Sequence, residues 1–253
     1  MNQTLKAEFR KLLTVRSTYV ITGLLTAFII FITFYVIGWR MTPADMNNPG
    51  QLVSDVTGAL GLTVFGAIVA VLLMTHEYRY NTIMYTLTSS NSRSKVLLSK
   101  FIVASAYALF LAALIAILAP LMTSLGVHLH GHTLVPQTIH YWNLIWRSLF
   151  YGWGYGMAGL LLALLTRNQI ASIVALFVVP GLAEQLLGLL LKHNTVYLPF
   201  SALSQVINYG TNNGRMDTSS NLSPAKAAGV YAIYLVVGWI ISWYLFLRRD
   251  ATT

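Results

Sequence analysis

Residues 76–100 read HEYRYNTIMYTLTSSNSRSKVLLSK. The stretch lies between two apolar runs, each long enough to cross a bilayer. It opens on a polar hinge carrying Glu77, Arg79 and Thr82 and continues through a segment suited to a short helix. It then returns through Arg93, Lys95 and Lys100. The runs on either side belong to a series of six, at about 19–38, 54–75, 101–122, 148–166, 170–191 and 228–247. A bilayer core of ~30 Å is spanned by ~20 helical residues. Long runs without period-two alternation are helices rather than barrel strands.

Composition agrees. The 253 residues are 56% hydrophobic and 9% charged, with a mean hydropathy of +0.65. A soluble domain carries roughly 25% charged residues. So much apolar surface requires lipid as its main solvent. The chain has no cysteine, which excludes disulfides, thiolate metal sites and cysteine nucleophiles.

The net charge of +9 would point to nucleic acid in a soluble protein, but its distribution follows topology. Eleven basic residues fall on one side of the six runs: Lys6, Arg10, Lys11, Arg16, Arg79, Arg93, Lys95, Lys100, Arg167, Arg248 and Arg249. Five fall on the other: Arg40, Arg147, Lys192, Arg215 and Lys226. The positive-inside rule then places both termini in the cytoplasm of a multi-pass plasma-membrane protein, with no nucleic-acid partner. The run at 19–38 is too long for a signal-peptide core and reads as a retained anchor. Trp39, Trp142, Trp146, Trp243 and Tyr244 fall near the expected interfaces.

Residues 2–17 differ in character. Leu5, Phe9, Leu12 and Leu13 recur at helical spacing, with Lys6, Arg10 and Lys11 on other faces. This fits a basic amphipathic helix lying along the inner interface. A simple orienting charge cluster is the alternative. The whole chain reads as one membrane domain.

Within the loop at 77–95, Asn81 to Thr88 suits a short helix. Ile83 and Leu87 share a face at i, i+4 with Met84 beside them, a pattern that suits a partner's groove. Glu77 suits the positive end of that helix. Arg93, Lys95 and Lys100 suit anchorage at the inner leaflet.

The pattern E-Y-R-x-x-T-I, then T-L, then R-x-K-x-L-L-x-K resembles the loop after span 2 in permease subunits of type-2 ABC exporters. It is carried by Glu77, Tyr78, Arg79, Thr82, Ile83, Thr86, Leu87, Arg93, Leu97 and Lys100. The segment Tyr197-Leu-Pro-Phe-Ser-Ala-Leu203 also resembles the family's outer segment before the last span. Two departures are visible: Asn81 stands where many members carry Gly, and Ser89 to Ser92 replace a frequent Pro-containing turn.

The resemblance implies an all-α, six-span permease whose loop is a coupling helix. It implies docking of a separate ABC ATPase subunit through Glu77, Tyr78, Arg79, Thr82, Ile83, Met84 and Leu87. ATP and Mg would sit on that partner, while this chain binds no cofactor or metal and catalyses nothing. A second permease copy or paralogue would complete a dimer surrounded by lipid. Drugs, antimicrobial peptides or lipid-like molecules are the implied exported substrates.

Other patterns are weaker. Gly126 to Thr133, GVHLHGHT, matches the P-loop pattern except that His132 replaces the required Lys, and it falls on the expected outer face, where no ATP is available, so it is not read as a nucleotide site. Gly154-Tyr-Gly-Met-Ala-Gly159 spells G-x-G-x-x-G inside an apolar run. A dinucleotide fingerprint must instead follow a strand. Gly152, Gly156 and Gly159 therefore read as a helix-packing surface, either between subunits or within the chain. His128, His130 and His132 alternate, with His140 nearby, but lack acidic partners and make a poor metal set.

Glu184 is the one acid in an apolar run, after Pro180-Gly181, which is expected to kink or break the fifth span. An intramembrane acid is a functional candidate by default. Arg147 is the partner considered, and Glu184, Pro180 and Phe200 are candidates for a substrate pathway or gate. Residues 195–222 are too polar to span, and form either a short amphipathic or re-entrant helix or an irregular loop. An ion-coupled carrier that uses Glu184 and needs no ATPase is the alternative function. An intramembrane hydrolase finds no G-x-S-x-G in the sequence.

Overall fold

A computed structural model describes residues 2–42, 58–89, 92–132, 141–207 and 222–248. Among these residues the secondary structure is helical, with no strand. Six helices are long and apolar enough to cross a membrane: Arg16–Trp39, Gly58–Arg79, Arg93–Leu129, Ile145–Thr166, Gln169–Leu191 and Pro224–Arg248. They are referred to below as spans 1 to 6. The expected start of span 2 at 54–57 lies outside the described residues, as do Arg215, Arg249, His140 and residues 208–221 of the expected outer segment.

Spans 2 and 4 form the centre of the bundle. Of their most apolar stretches, 56% and 61% are buried, against 11% for span 5. The reason is visible in span 4. A Cβ added at Gly152 or Gly156 would lie 2.5 Å from the Cβ of Ala112 or Ala108 on span 3. One at Gly159 would lie 2.6 Å from the carbonyl oxygen of Ala67 on span 2. Small residues let the backbones approach, which is how helices gain dispersion energy where lipid offers no hydrophobic drive. The glycine surface therefore packs within the chain. Spans 1 and 3 cross in the same manner: a Cβ at Gly38 would lie 2.6 Å from the Thr123 carbonyl oxygen.

Span 3 begins eight residues before the apolar run suggests. Ser92 caps it by accepting from the Lys95 amide at 3.2 Å, so the basic return from Arg93 to Lys100 forms its first turns. At ~1.5 Å per residue its length exceeds a bilayer core, and the surplus projects beyond it. Span 5 is capped by Asn168, whose Oδ1 accepts from the amides of Ile170 and Ala171 at 3.0 and 3.1 Å. The expected break at Pro180 takes the form of a π-helical turn, Val179–Ala183, and α-helix resumes at Glu184. Proline lacks the N–H that would continue the ladder, so one wider turn absorbs the defect.

Two short helices flank the bundle. Asn2–Thr14 packs against span 3 and is separated from span 1 by extended Val15. Ile83–Ser89 lies between spans 2 and 3. At the opposite end, Pro199–Ile207 packs on spans 4 and 6. That part of the 195–222 segment is therefore helix and not irregular loop. Helix continues through His128 to Leu129, and the His130 ring packs 4.8 Å from Trp39 and 5.5 Å from His132.

Candidate functional site

Four charged side chains meet where the N-terminal helix, the last turns of span 2 and the first turns of span 3 converge. Lys100 Nζ donates to Glu8 Oε2 at 2.8 Å and to the Leu73 carbonyl at 3.2 Å, and lies 2.9 Å from Glu77 Oε1. Lys11 Nζ donates to Glu8 Oε1 at 2.8 Å, Glu77 Oε1 at 2.6 Å and Thr86 Oγ1 at 3.3 Å. Two cations and two carboxylates make the cluster neutral overall. Lys100 is 0% exposed, Glu8 1% and Glu77 5%. Charges are buried at such low cost only when mutually paired and hydrogen-bonded. Glu77 Oε2 is buried without a hydrogen-bond partner, so the network has one acceptor to spare.

Lys11 sits at the rim. Burial pulls its ammonium pKa down, but hydrogen bonds to Glu77 and Glu8 outweigh that and hold it above the ordinary 10.5. It is thus a cation at any physiological pH. Its contact with Thr86 ties the N-terminal helix to the loop helix Ile83–Ser89.

This geometry corrects several sequence-based assignments. Glu77 does not serve the loop helix terminus; it lies in the last turn of span 2 and is turned into the protein. Lys100 is not a surface anchor, because its ammonium is needed inside to balance Glu8 and Glu77. Lys11, placed with Lys6 and Arg10 off the apolar face of the N-terminal helix, is turned toward the carboxylates. The Ile83 and Leu87 stripe faces inward as well: Ile83 is 2% exposed and Leu87 packs on the core. Spans and the N-terminal helix supply apolar surface on that side, so burial wins there.

The open face of the loop is made instead by Tyr80, Met84 and Tyr85, with Tyr85 77% exposed. Asn81 turns the chain into it with φ of 52°, left-handed backbone that Gly adopts freely and Asn tolerates. The Asn81 departure from Gly is thereby explained. The Thr82 amide donates to the Glu77 carbonyl at 2.9 Å and closes this turn. Ser90 and Asn91, within the second departure, lie outside the described residues.

Arg79 reaches from the same hinge to span 5, donating to Gln169 Oε1 at 3.2 Å. Tyr78 is half-buried, with the Arg167 guanidinium 5.3 Å over its ring. The loop therefore divides. Tyr80, Met84 and Tyr85, all outside the matched pattern, present an outward surface. Glu77, Arg79 and Ile83 lock that surface to three other elements.

A third buried carboxylate, Glu184, is 6% exposed at the far end of the bundle. Its Oε1 accepts from the Phe200 amide, and its Oε2 from the Ser201 amide and hydroxyl, each at 2.7 Å. The anion therefore sits on the N-terminal turn of Pro199–Ile207, where free amides and the helix dipole favour negative charge. It takes that place and not one beside Arg147, whose guanidinium lies 5.7 Å from the Trp146 ring centre. Phe200 is buried 5.3 Å from the Tyr155 ring. Pro180 stands in the π-helical turn just before this contact.

Sequence reasoning did not find Glu8, the contact of Lys11 with Thr86, or the joining of Lys11 and Lys100 to Glu77. One signal was present: Glu8 is the lone acid in the basic segment 2–17, three residues before Lys11.

A family model described as ABC-2 family transporter protein matches residues 4–182. That span runs from the N-terminal helix into the π-helical turn and includes the whole charged cluster. YdbK, an uncharacterized membrane protein of Bacillus subtilis (strain 168), is 24% identical over 210 residues. The alignment covers 81% of this chain and 84% of that protein.

Proposed function

The chain belongs to the ABC-2 family of transporter proteins, and on that premise we propose that it is the permease subunit of an ATP-driven exporter whose ATPase is a separate chain. The N-terminal helix and loop helix would face the cytoplasm, in line with the eleven basic residues on that side. The observation that carries the reading is the mechanical position of Ile83–Ser89. It has an exposed Met84–Tyr85 face, continued by Tyr80 before the Asn81 turn, and a buried Ile83 root. Its Thr86 is linked through Lys11 to Glu77 and Lys100.

A partner seated on the exposed face would push a helix that cannot slide without moving spans 2 and 3. ATP and Mg would be held by that partner, and closure of two ATPases would bias two permeases between states of different stability. The spare Glu77 Oε2 would accept a hydrogen bond in the second state. Apolar walls suit hydrophobic or amphipathic substrates such as drugs, antimicrobial peptides or lipid-like molecules. A carrier driven through Glu184 is less well supported, since that carboxylate is already occupied by three donors.

The test is co-expression with the neighbouring genes, purification in mild detergent and identification of what is retained. An ATPase subunit in equal ratio is expected. Tyr85→Asp and Met84→Asp should each release it while the permease keeps its thermal stability. A stable permease oligomer with no ATPase would defeat the proposal.

A further inference from the structure

The outward side of the N-terminal helix has no role in the cluster just described, yet it closes a two-lobed cleft. One lobe, of about 480 Å³, lies between Lys6, Phe9 and Arg10 of the helix and Ile102, Val103 and Ala106 of span 3. The other, of about 390 Å³, adjoins it and is lined by Leu13, Tyr19, Tyr107 and Phe110. Phe9 and Ala106 line both lobes and form the septum between them. Phe9 is 45% exposed, so its ring is open to a molecule lying in either lobe.

Charge separates the two lobes. Lys6 and Arg10 are exposed and stand at i, i+4, on one helix face. Among the described residues neither side chain meets a carboxylate, because Glu8 and Glu77 are engaged by Lys11 and Lys100. The second lobe holds no charged side chain, and its Tyr107 and Thr22 hydroxyls are paired at 2.7 Å. A basic mouth joined to an apolar slot matches an anion attached to hydrocarbon. Each lobe is within the size of a small-molecule site, and two lobes divided by a ring suit two acyl chains.

We propose that this cleft is a saturable site for one anionic phospholipid, with its phosphate on Lys6 and Arg10 and its acyl chains to either side of Phe9. This differs from general attraction of a basic helix to a membrane, which needs no cleft and no stoichiometry. It also stands apart from the exporter reading, because it requires only that the chain lies in a membrane.

The experiment is native mass spectrometry of the purified full-length protein, with any retained partner, titrated with phosphatidylglycerol or phosphatidylcholine of the same acyl chains. One phosphatidylglycerol per chain is expected, held roughly tenfold more tightly than phosphatidylcholine. Lys6→Gln with Arg10→Gln should abolish that preference and leave the melting temperature unchanged. Ala106→Trp, which fills the septum, should reduce retention of both lipids. Glycerol 1-phosphate should not compete, since it lacks the chains. Equal retention of the two lipids, a preference unaffected by the double substitution, or full competition by glycerol 1-phosphate would each overturn the proposal.

Discussion

Glu77 and Glu184 are both nearly buried carboxylates at opposite ends of one helical bundle, yet they are neutralised by different means. Glu77 is balanced by whole charges, Lys11 and Lys100, brought from two other elements. Glu184 is balanced by partial charges, the amides of Phe200 and Ser201 at a helix start sixteen and seventeen residues away. The first arrangement joins distant segments and fails as a unit if one member is lost. The second positions a single short helix and fails locally. The lesson is that an acid in a membrane protein is not by itself a transport site; its neighbours decide whether it couples elements or caps one.

The largest expected effect tests the first arrangement. Lys100→Met leaves Glu8 and Glu77 facing one partly exposed cation, and should lower stability by about 3–5 kcal/mol, the usual cost of stranding a buried charge. Thermal denaturation in detergent measures it. Glu8→Leu combined with Lys100→Met leaves the Lys11–Glu77 pair intact and should recover most of that loss. A double variant as unstable as the sum of the singles would mean that the cluster is not one unit.

Glu184→Gln should cost less, about 1–3 kcal/mol. Glutamine offers one acceptor oxygen, and its NH2 group would oppose the Ser201 donors. The effect should be confined to residues 199–207 and read out as faster hydrogen exchange there. Exchange rising equally across spans 2 and 3 would erase the distinction between the two regions.

Titration gives the smallest effect. The folded Lys11 pKa lies above its unfolded value, so its contribution is complete below pH 10.5 and is lost only as pH rises through the raised value. The stability contributed by the Lys11 ammonium should therefore be flat from about pH 6 to about pH 9. A Lys11→Met variant that changes this flatness would show that another group titrates in the cluster.

The legible parts of the molecule were those set by local chemistry. All six spans follow from apolar run length, and their observed ends differ from the sequence reading by a few residues except in span 3. There a capped, basic start hid the first two turns. The loop helix and the close packing of Gly152, Gly156 and Gly159 were also readable, because spacing along one helix determines which residues share a face. What spacing left open was which neighbour that face meets. Ile83 and Leu87 share a stripe as expected, but the stripe is turned inward, and Tyr80 and Tyr85 hold the exterior.

The sequence alone determined that this chain lives in lipid, crosses it six times and belongs with transport permeases, because hydropathy, length and a loop motif are properties of contiguous residues. Tertiary structure alone decided that Lys100 pairs with Glu8 across 92 positions and Lys11 with Glu77 across 66. A charge has no sequence periodicity of its own. Its partner is whichever opposite charge the packing of apolar helices brings within hydrogen-bond distance, and burial then makes that pairing obligatory.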